Sequence, residues 1–293
     1  MPEFASLAEL IGTAESQGKK ISDVVLAAQA AEDDDRGNAW ERMRAGLEVM
    51  KEASRRGIEE APASRGGLVG GDARRMAQAA RSGRTAAGGV MGMALARALA
   101  VAEVNAAMGR IVAAPTAGSC GVLPAVVLTV AERFGAPDEA QVASLFTAAG
   151  VGIVIARLAS LAGAEGGCQA ETGSAAAMAA AAGVELAGGS PDQAGQAAAI
   201  ALKGLLGLVC DPVAGLVEVP CVKRNATATA IALAAIDLAL AGVRSAIPVD
   251  EVIETMGRVG RCLPEALRET AEGGLAATPT ARAIVARLQR TNP

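Results

Sequence analysis

The sequence predicts an all-α fold: an Ala- and Gly-rich helical domain with buried central helices and Gly/Pro-rich active-site loops. Three observations carry this expectation. Aromatic residues make up only 1% of the chain, with no Tyr at all, so the side chains that strands favour are scarce. The 52% hydrophobic content is mostly Ala, Leu, Val and Ile, and Ala is the strongest helix former. From about residue 84 onward, the apolar segments between Gly and Pro clusters are too long for ordinary strands.

The 293 residues are enough to bury a sizeable core. The expected organisation is a charged, amphipathic helical region over residues 1–82 and a helical catalytic domain over 83–293, or one continuous domain. In the first region Leu7, Leu10 and Ile11 share a short face. Ser22 is placed to cap a long amphipathic stretch that runs through Val24, Val25, Trp40, Met43, Leu47 and Met50 to Ile58. Residues 61–71, APASRGGLVGG, form a loop. Further breaks fall at 109–121, 163–173, 187–191, 207–220 and 242–248, and the polar chemistry is concentrated in them.

Charge and cysteine usage narrow the functional classes. A formal charge of -4 provides no basic field for nucleic acid, and the few aromatics offer nothing on which to stack bases. The chain has no His, which removes the commonest acid–base group and nitrogen ligand. Its five Cys are odd in number and widely spaced, with no signal peptide ahead of them, as suits reduced thiols in the cytoplasm. The longest uncharged run, Ile111 to Ala131 with one Arg-free stretch of Pro115, Gly118, Gly121 and Pro124, reads as buried helix and turn, not as a membrane span.

Three cysteines sit in Gly- and Pro-rich breaks. Cys168 lies in GAEGGCQAETGS ahead of an Ala-rich helix, whose N-terminus favours a thiolate. Cys210 and Cys221 bracket CDPVAGLVEVPC, which two prolines keep from being regular helix. These spacings match neither zinc ribbons nor the close cysteine runs of small ferredoxins. A metal-ligand role and a role as small buried hydrophobes both remain open on residues alone, and Cys120 and Cys262 read as the latter. In AAPTAGSCG, residues 113–121, a tight turn with the hydroxyls of Thr116 and Ser119 and the flexible Gly118 is a candidate carboxylate site, or else an ordinary helix-capping loop. GLVGGD at 67–72 and EGGLAATPT at 272–280 are similar turns, and neither is a P-loop or a dinucleotide fingerprint.

Four stretches, GGCQAETGSAAAMAAAA, LGLVCDPVAGLVEVPCVKRNA, VNAAMGRIVAAPTAGSCGVLPAV and LRETAEGGLAATPT, resemble the α chain of the two-subunit iron-sulfur L-serine dehydratases. The resemblance covers nearly the whole chain. It implies a helical α chain whose 4Fe-4S cluster is held by Cys168, Cys210 and Cys221, with no need for pyridoxal phosphate. It also implies L-serine as substrate, a separate β subunit in a hetero-oligomer, and a cytoplasmic location without nucleic acid or membrane. Single-chain members carry the β domain in front, and some close the cluster with a C-terminal cysteine; this sequence ends in RLQRTNP, so an iron with an open position is expected. Lys203 and Ser119 are the candidate catalytic groups, and Thr116, Gly118, Ser119 and Asn225 the candidate substrate-binding residues. The alternatives are a related cysteine desulfidase and a non-catalytic helical interaction subunit.

Overall fold

A computed structural model describes residues 4–33 and 36–291. The helices in chain order are α1 (Leu7–Ser16), α2 (Ile21–Asp33), α3 (Arg36–Glu59), α4 (Asp72–Arg81), α5 (Gly88–Ala106), α6 (Val122–Phe134) and α7 (Asp138–Leu158). After them come the single turn α8 (Gly163–Gly166), α9 (Ser174–Leu186), α10 (Pro191–Lys203), α11 (Cys221–Leu240), α12 (Val249–Cys262) and α13 (Pro279–Thr291). The described residues form no strand, and the expected all-α fold is the observed one. One isolated parallel bridge joins Cys210 to Arg268.

The core is built around α9, whose residues Ser174 to Glu185 are all buried. Its SAAAMAAAAGV sequence combines high helix propensity with small side chains, so α6, α7, α10 and α11 all pack directly on it. A second hub, α5, packs against α3, α4, α6 and α11. The apolar faces of the N-terminal helices, including Leu7, Leu10, Val25, Leu47 and Met50, join the same core as Val126, Val151, Ala179 and Ile253. Residues 60–71 form the expected loop between α3 and α4. Gly88–Ala106, Ala117–Phe134 and Asp138–Leu158 are long and apolar enough to cross a membrane by length and composition, and 61–67% of each is buried against the rest of the chain.

Distant carboxylates cap three of the helices. Asp250 of α12 accepts the Leu7 and Ala8 N–H groups at 2.7 and 3.0 Å, and fully buried Glu103 accepts Asp72 N–H at 2.8 Å. At the start of α2, Ser22 N–H donates to Glu185, which also takes the Thr147 hydroxyl at 2.6 Å. This corrects the expected Ser22 cap. Ser22 lies inside α2, its hydroxyl is buried without a partner, and a carboxylate, the stronger acceptor, does the capping. The amphipathic stretch expected from Val24 to Ile58 is divided between α2 and α3, and residues 34–35 lie outside the described residues.

Close approach of backbones makes particular glycines indispensable. A Cβ on Gly57 of α3 would lie 2.4 Å from the Ala100 carbonyl oxygen of α5 and 2.5 Å from its Cα. Backbone cannot swing aside as a flexible side chain can. Gly57→Ala is therefore expected to force α3 off α5 and to cost about 1–3 kcal/mol, seen as a lower denaturant midpoint. An unchanged midpoint would mean that the two helices do not meet this closely.

Candidate functional site

Four of the Gly/Pro breaks meet near the N-terminal end of α9. Between α8 and α9 the chain makes a π turn, Gln169–Gly173, of the kind that often marks functional sites. Cys168 immediately precedes this turn and Glu171 sits within it. The segment from Cys210 to Cys221 is irregular, as its prolines require, and Cys221 opens α11. The loop after α12 reaches back over it: Cys210 N–H donates to Leu267 O at 2.9 Å, and Glu269 N–H donates to Cys210 O at 2.8 Å. The 113–121 loop supplies the remaining wall, held by Thr116, which donates to Glu171 Oε1 at 2.7 Å.

The result is a dense set of acidic groups. The Cys210 thiol donates to Glu171 Oε2 at 3.9 Å, and Cys168 and Cys210 are near enough to shift one another's titration. Donor atoms of Glu171, Cys210 and Glu269 all lie within 4.8 Å of one another. The Cys168 thiol titrates below its ordinary value, first through the neighbouring Cys210 thiol, and then through Thr172 at 2.9 Å and the charge of Arg224. Cys210 is driven upward first by the neighbouring Cys168 thiol, then by burial and by the charges of Cys168, Glu171 and Glu269. Burial pushes Cys221 up to about 12, with the charges of Cys168 and Glu171 adding to it. Burial likewise raises Glu171, against the bond from Thr116, while Glu269 reinforces the rise.

Arg224 is the guanidinium within reach of this set, and it is shared. It pairs with buried Asp211 at 2.8 Å and donates to Val209 O at 2.8 Å. Asp211 in turn accepts Leu275 N–H at 2.7 Å, which ties down the 272–280 turn. Glu218, buried between the two cysteines in sequence, accepts from Ser64 Oγ, Gly66 N and Leu68 N, and so binds the 61–71 loop to the same segment. The charge of Arg224 reaches Cys168 and Cys221, and Glu171, Cys210 and Glu269 are a group of donors that could hold a metal ion.

The candidate residues named from sequence fall into three groups. Cys168 is near enough for its charge to be felt at both Cys210 and Cys221, while among the described residues the donors that meet within 4.8 Å are those of Glu171, Cys210 and Glu269. Thr116, Gly118 and Ser119 border them: Ser119 Oγ lies 3.2 Å from Thr116 Oγ1, and a Cβ on Gly118 would lie 3.1 Å from Glu171 Oε1. Three N–H groups of this turn are engaged within the protein. Ser119 and Cys120 donate back to Thr116 and Ala117, and Gly121 donates to Asn225 Oδ1 at 2.8 Å. The Asn225 amide is itself filled, since Nδ2 donates to Gly118 O at 2.7 Å and Cys221 O at 3.0 Å. Asn225 therefore staples the 118–121 turn to Cys221, with no N–H to spare for a ligand. Lys203 is not brought to the cysteines: it is exposed at the end of α10 and donates to Ser245 Oγ at 2.8 Å.

Cys120 is fully buried with its thiol raised to about 12 by burial, and Cys262 is exposed. Sequence reasoning missed Glu171, Glu269, Arg224 and Gln169. An acid three residues after Cys168 in a Gly-rich break was a usable signal for Glu171. Nothing local marks Glu269, which a distant loop delivers.

The chain matches the family model described as "Serine dehydratase alpha chain" over residues 16–276. It is 49% identical over 282 residues to the "Probable L-serine dehydratase, alpha chain" of Bacillus subtilis, covering 96% of this chain and 94% of that protein. It is 43% identical over 281 residues to the "L-serine dehydratase, alpha chain" of Peptoniphilus asaccharolyticus, covering 94% and 95%. Against the longer "L-serine dehydratase" of Streptomyces coelicolor, identity is 39% over 276 residues, 92% of this chain and 59% of that protein.

Breaking the buried Arg224–Asp211 pair from one side leaves an uncompensated carboxylate that is 3% exposed. Arg224→Met is expected to cost about 3 kcal/mol. Adding Asp211→Asn should recover part of that loss in denaturant unfolding. Equal stability of wild type and Arg224→Met would show that the pair does not anchor the Cys210–Cys221 segment.

Proposed function

The chain belongs to the serine dehydratase α-chain family, and from that premise we propose that it catalyses, together with a separate β chain, the conversion of L-serine to pyruvate and ammonia in the cytoplasm. In this reaction L-serine loses its α-proton and its β-hydroxyl as water. The resulting aminoacrylate tautomerises to an imine, which water hydrolyses to pyruvate and ammonia. The observation that supports the reading is that Cys168, Cys210 and Cys221, 42 and 11 residues apart in sequence, are near enough for the charge of Cys168 to bear on both of the others, beside the buried Glu171. A lone buried cysteine needs no function, but thiols and carboxylates whose charges bear on one another have no packing rationale.

These thiols would hold the 4Fe-4S cluster. Bound there, the cluster supplies Lewis acidity toward the departing hydroxyl. The chain's own groups do the rest. Glu171 is the proton carrier in this reading: it is buried, its Oε1 is oriented by Thr116, and its raised pKa brings it closer to the operating range of a general base. Ser119 extends the same chain of hydroxyls through Thr116. Glu171 and Glu269 together give the site a negative field that suits the substrate's ammonium group. Lys203, held on Ser245, takes no part in this scheme.

Anaerobic reconstitution with iron and sulfide, followed by a pyruvate assay with the β chain present, tests the reading. Iron-loaded wild type should release pyruvate from L-serine, whereas Cys168→Ala, Cys210→Ala and Cys221→Ala should each lose iron and activity. Cys120→Ala and Cys262→Ala should keep both. Full iron content and turnover in any of the first three would remove the proposed ligand set.

Glu171→Gln is expected to retain iron while kcat falls by roughly 100- to 10,000-fold, the usual contribution of a general base. A kcat near that of wild type would assign the proton transfer to another group.

A further inference from the structure

We propose that Gln169 is a positioning residue that fixes the separation of Cys168 and Cys210, and thereby the geometry in which these two thiols bind metal together. The inference rests on the cluster reading above. It concerns a side chain that touches neither substrate nor metal.

Gln169 is fully buried, so both N–H groups and the carbonyl of its amide need partners inside the protein. All are found on backbone. Nε2 donates to Gly166 O at 2.9 Å and to Met256 O at 3.2 Å, and Oε1 accepts Gly207 N–H at 2.8 Å. Its main-chain N–H donates to Leu208 O at 2.9 Å. Gln169 directly follows Cys168, while Gly207 and Leu208 lie three and two residues before Cys210. Two hydrogen bonds of opposite direction therefore join the two ligand-bearing segments, next to the thiols themselves.

The third partner sets this junction against the core. Met256 lies on α12 and is 2% exposed, so its carbonyl is a fixed reference point. The surroundings leave no slack. A Cβ on Gly167 would lie 2.9 Å from Leu208 O, and a Cβ on Gly260 would lie 2.7 Å from Gly166 Cα and 3.4 Å from Gln169 Nε2. The segments thus approach as closely as backbone allows, and the amide of Gln169 occupies the junction. A buried amide that served only to fill space would not need to span both cysteine segments and α12 at once.

The test uses the full chain in two states. In the reduced, cluster-free protein, phenylarsine oxide reports thiol separation, because it closes two adjacent thiols into a dithioarsenite with release of water. Wild type should bind it through Cys168, as shown by loss of affinity in Cys168→Ser. Gln169→Met keeps side-chain length and deletes the three amide bonds. It is expected to retain the helical circular dichroism spectrum while arsenical affinity falls about 10- to 100-fold, the usual effect of removing a supporting group. After anaerobic reconstitution the same variant should surrender iron to a chelator faster than wild type.

Wild-type arsenical affinity and iron retention in Gln169→Met would overturn the proposal, as would arsenical binding in wild type that ignores Cys168→Ser. If Gln169→Met does not fold, Gln169→Glu takes its place with the same expected losses, since it keeps an oxygen for Gly207 N–H and turns the other onto two carbonyls. A wild-type chain that binds the arsenical through Cys168 but takes up no iron would count against the cluster reading. The arsenical comparison would still decide the role of Gln169.

Discussion

Irregular backbone buried in a protein interior must find hydrogen-bond partners that no helix or sheet provides. In this chain buried amides and carboxylates supply them, and the site depends on that supply. Gln169 joins the Cys168 and Cys210 segments, and Asn225 joins Cys221 to the 118–121 turn. Glu218 holds the 61–71 loop, and Asp211 holds the 272–280 turn. Each side chain is buried, and each bridges segments far apart in sequence. The loops can therefore be rich in Gly and Pro and yet hold defined positions.

The Ala-rich core makes the arrangement possible by bringing helices close together. With α9 lined by Ala, its neighbours pack almost backbone to backbone, and the loops at its N-terminal end converge. That convergence concentrates thiols and carboxylates, at an electrostatic cost. Cys210 and Cys221 are both driven upward, while Cys168 is lowered mainly at the expense of Cys210. A set of acidic donors in which Cys210, Cys221 and Glu171 resist ionisation is a natural host for a cation, and loading it with metal is coupled to loss of the thiol protons.

Much of the fold can be read from local composition. Scarce aromatics and long Ala runs point to helices, and the Gly/Pro breaks at 109–121, 163–173 and 207–220 mark the walls of the site because such residues interrupt helices wherever they occur. Cys168, Cys210 and Cys221 stand out by their setting in those breaks. What stays hidden is decided by tertiary partners. Ser22 has the chemistry of a cap, but Glu185, from a helix 163 residues away, takes that role. The 113–121 turn has the residues of an anion cradle, and the N–H groups of its Ser119, Cys120 and Gly121 turn inward to Thr116, Ala117 and Asn225. Glu171 is marked only by its place three residues after Cys168, and Glu269 by nothing local, so it becomes notable only when folding sets it beside Cys210.

Placing the substrate at a metal centre held by Cys168, Cys210 and Cys221 is the central claim, and spectroscopy of the iron addresses it without relying on turnover. A Mössbauer spectrum of the iron-reconstituted α chain with its β chain, recorded with and without L-serine, is the most direct measurement. The account predicts a serine-dependent change confined to a single iron of the cluster. Irons that are indifferent to L-serine while pyruvate is being formed would contradict it.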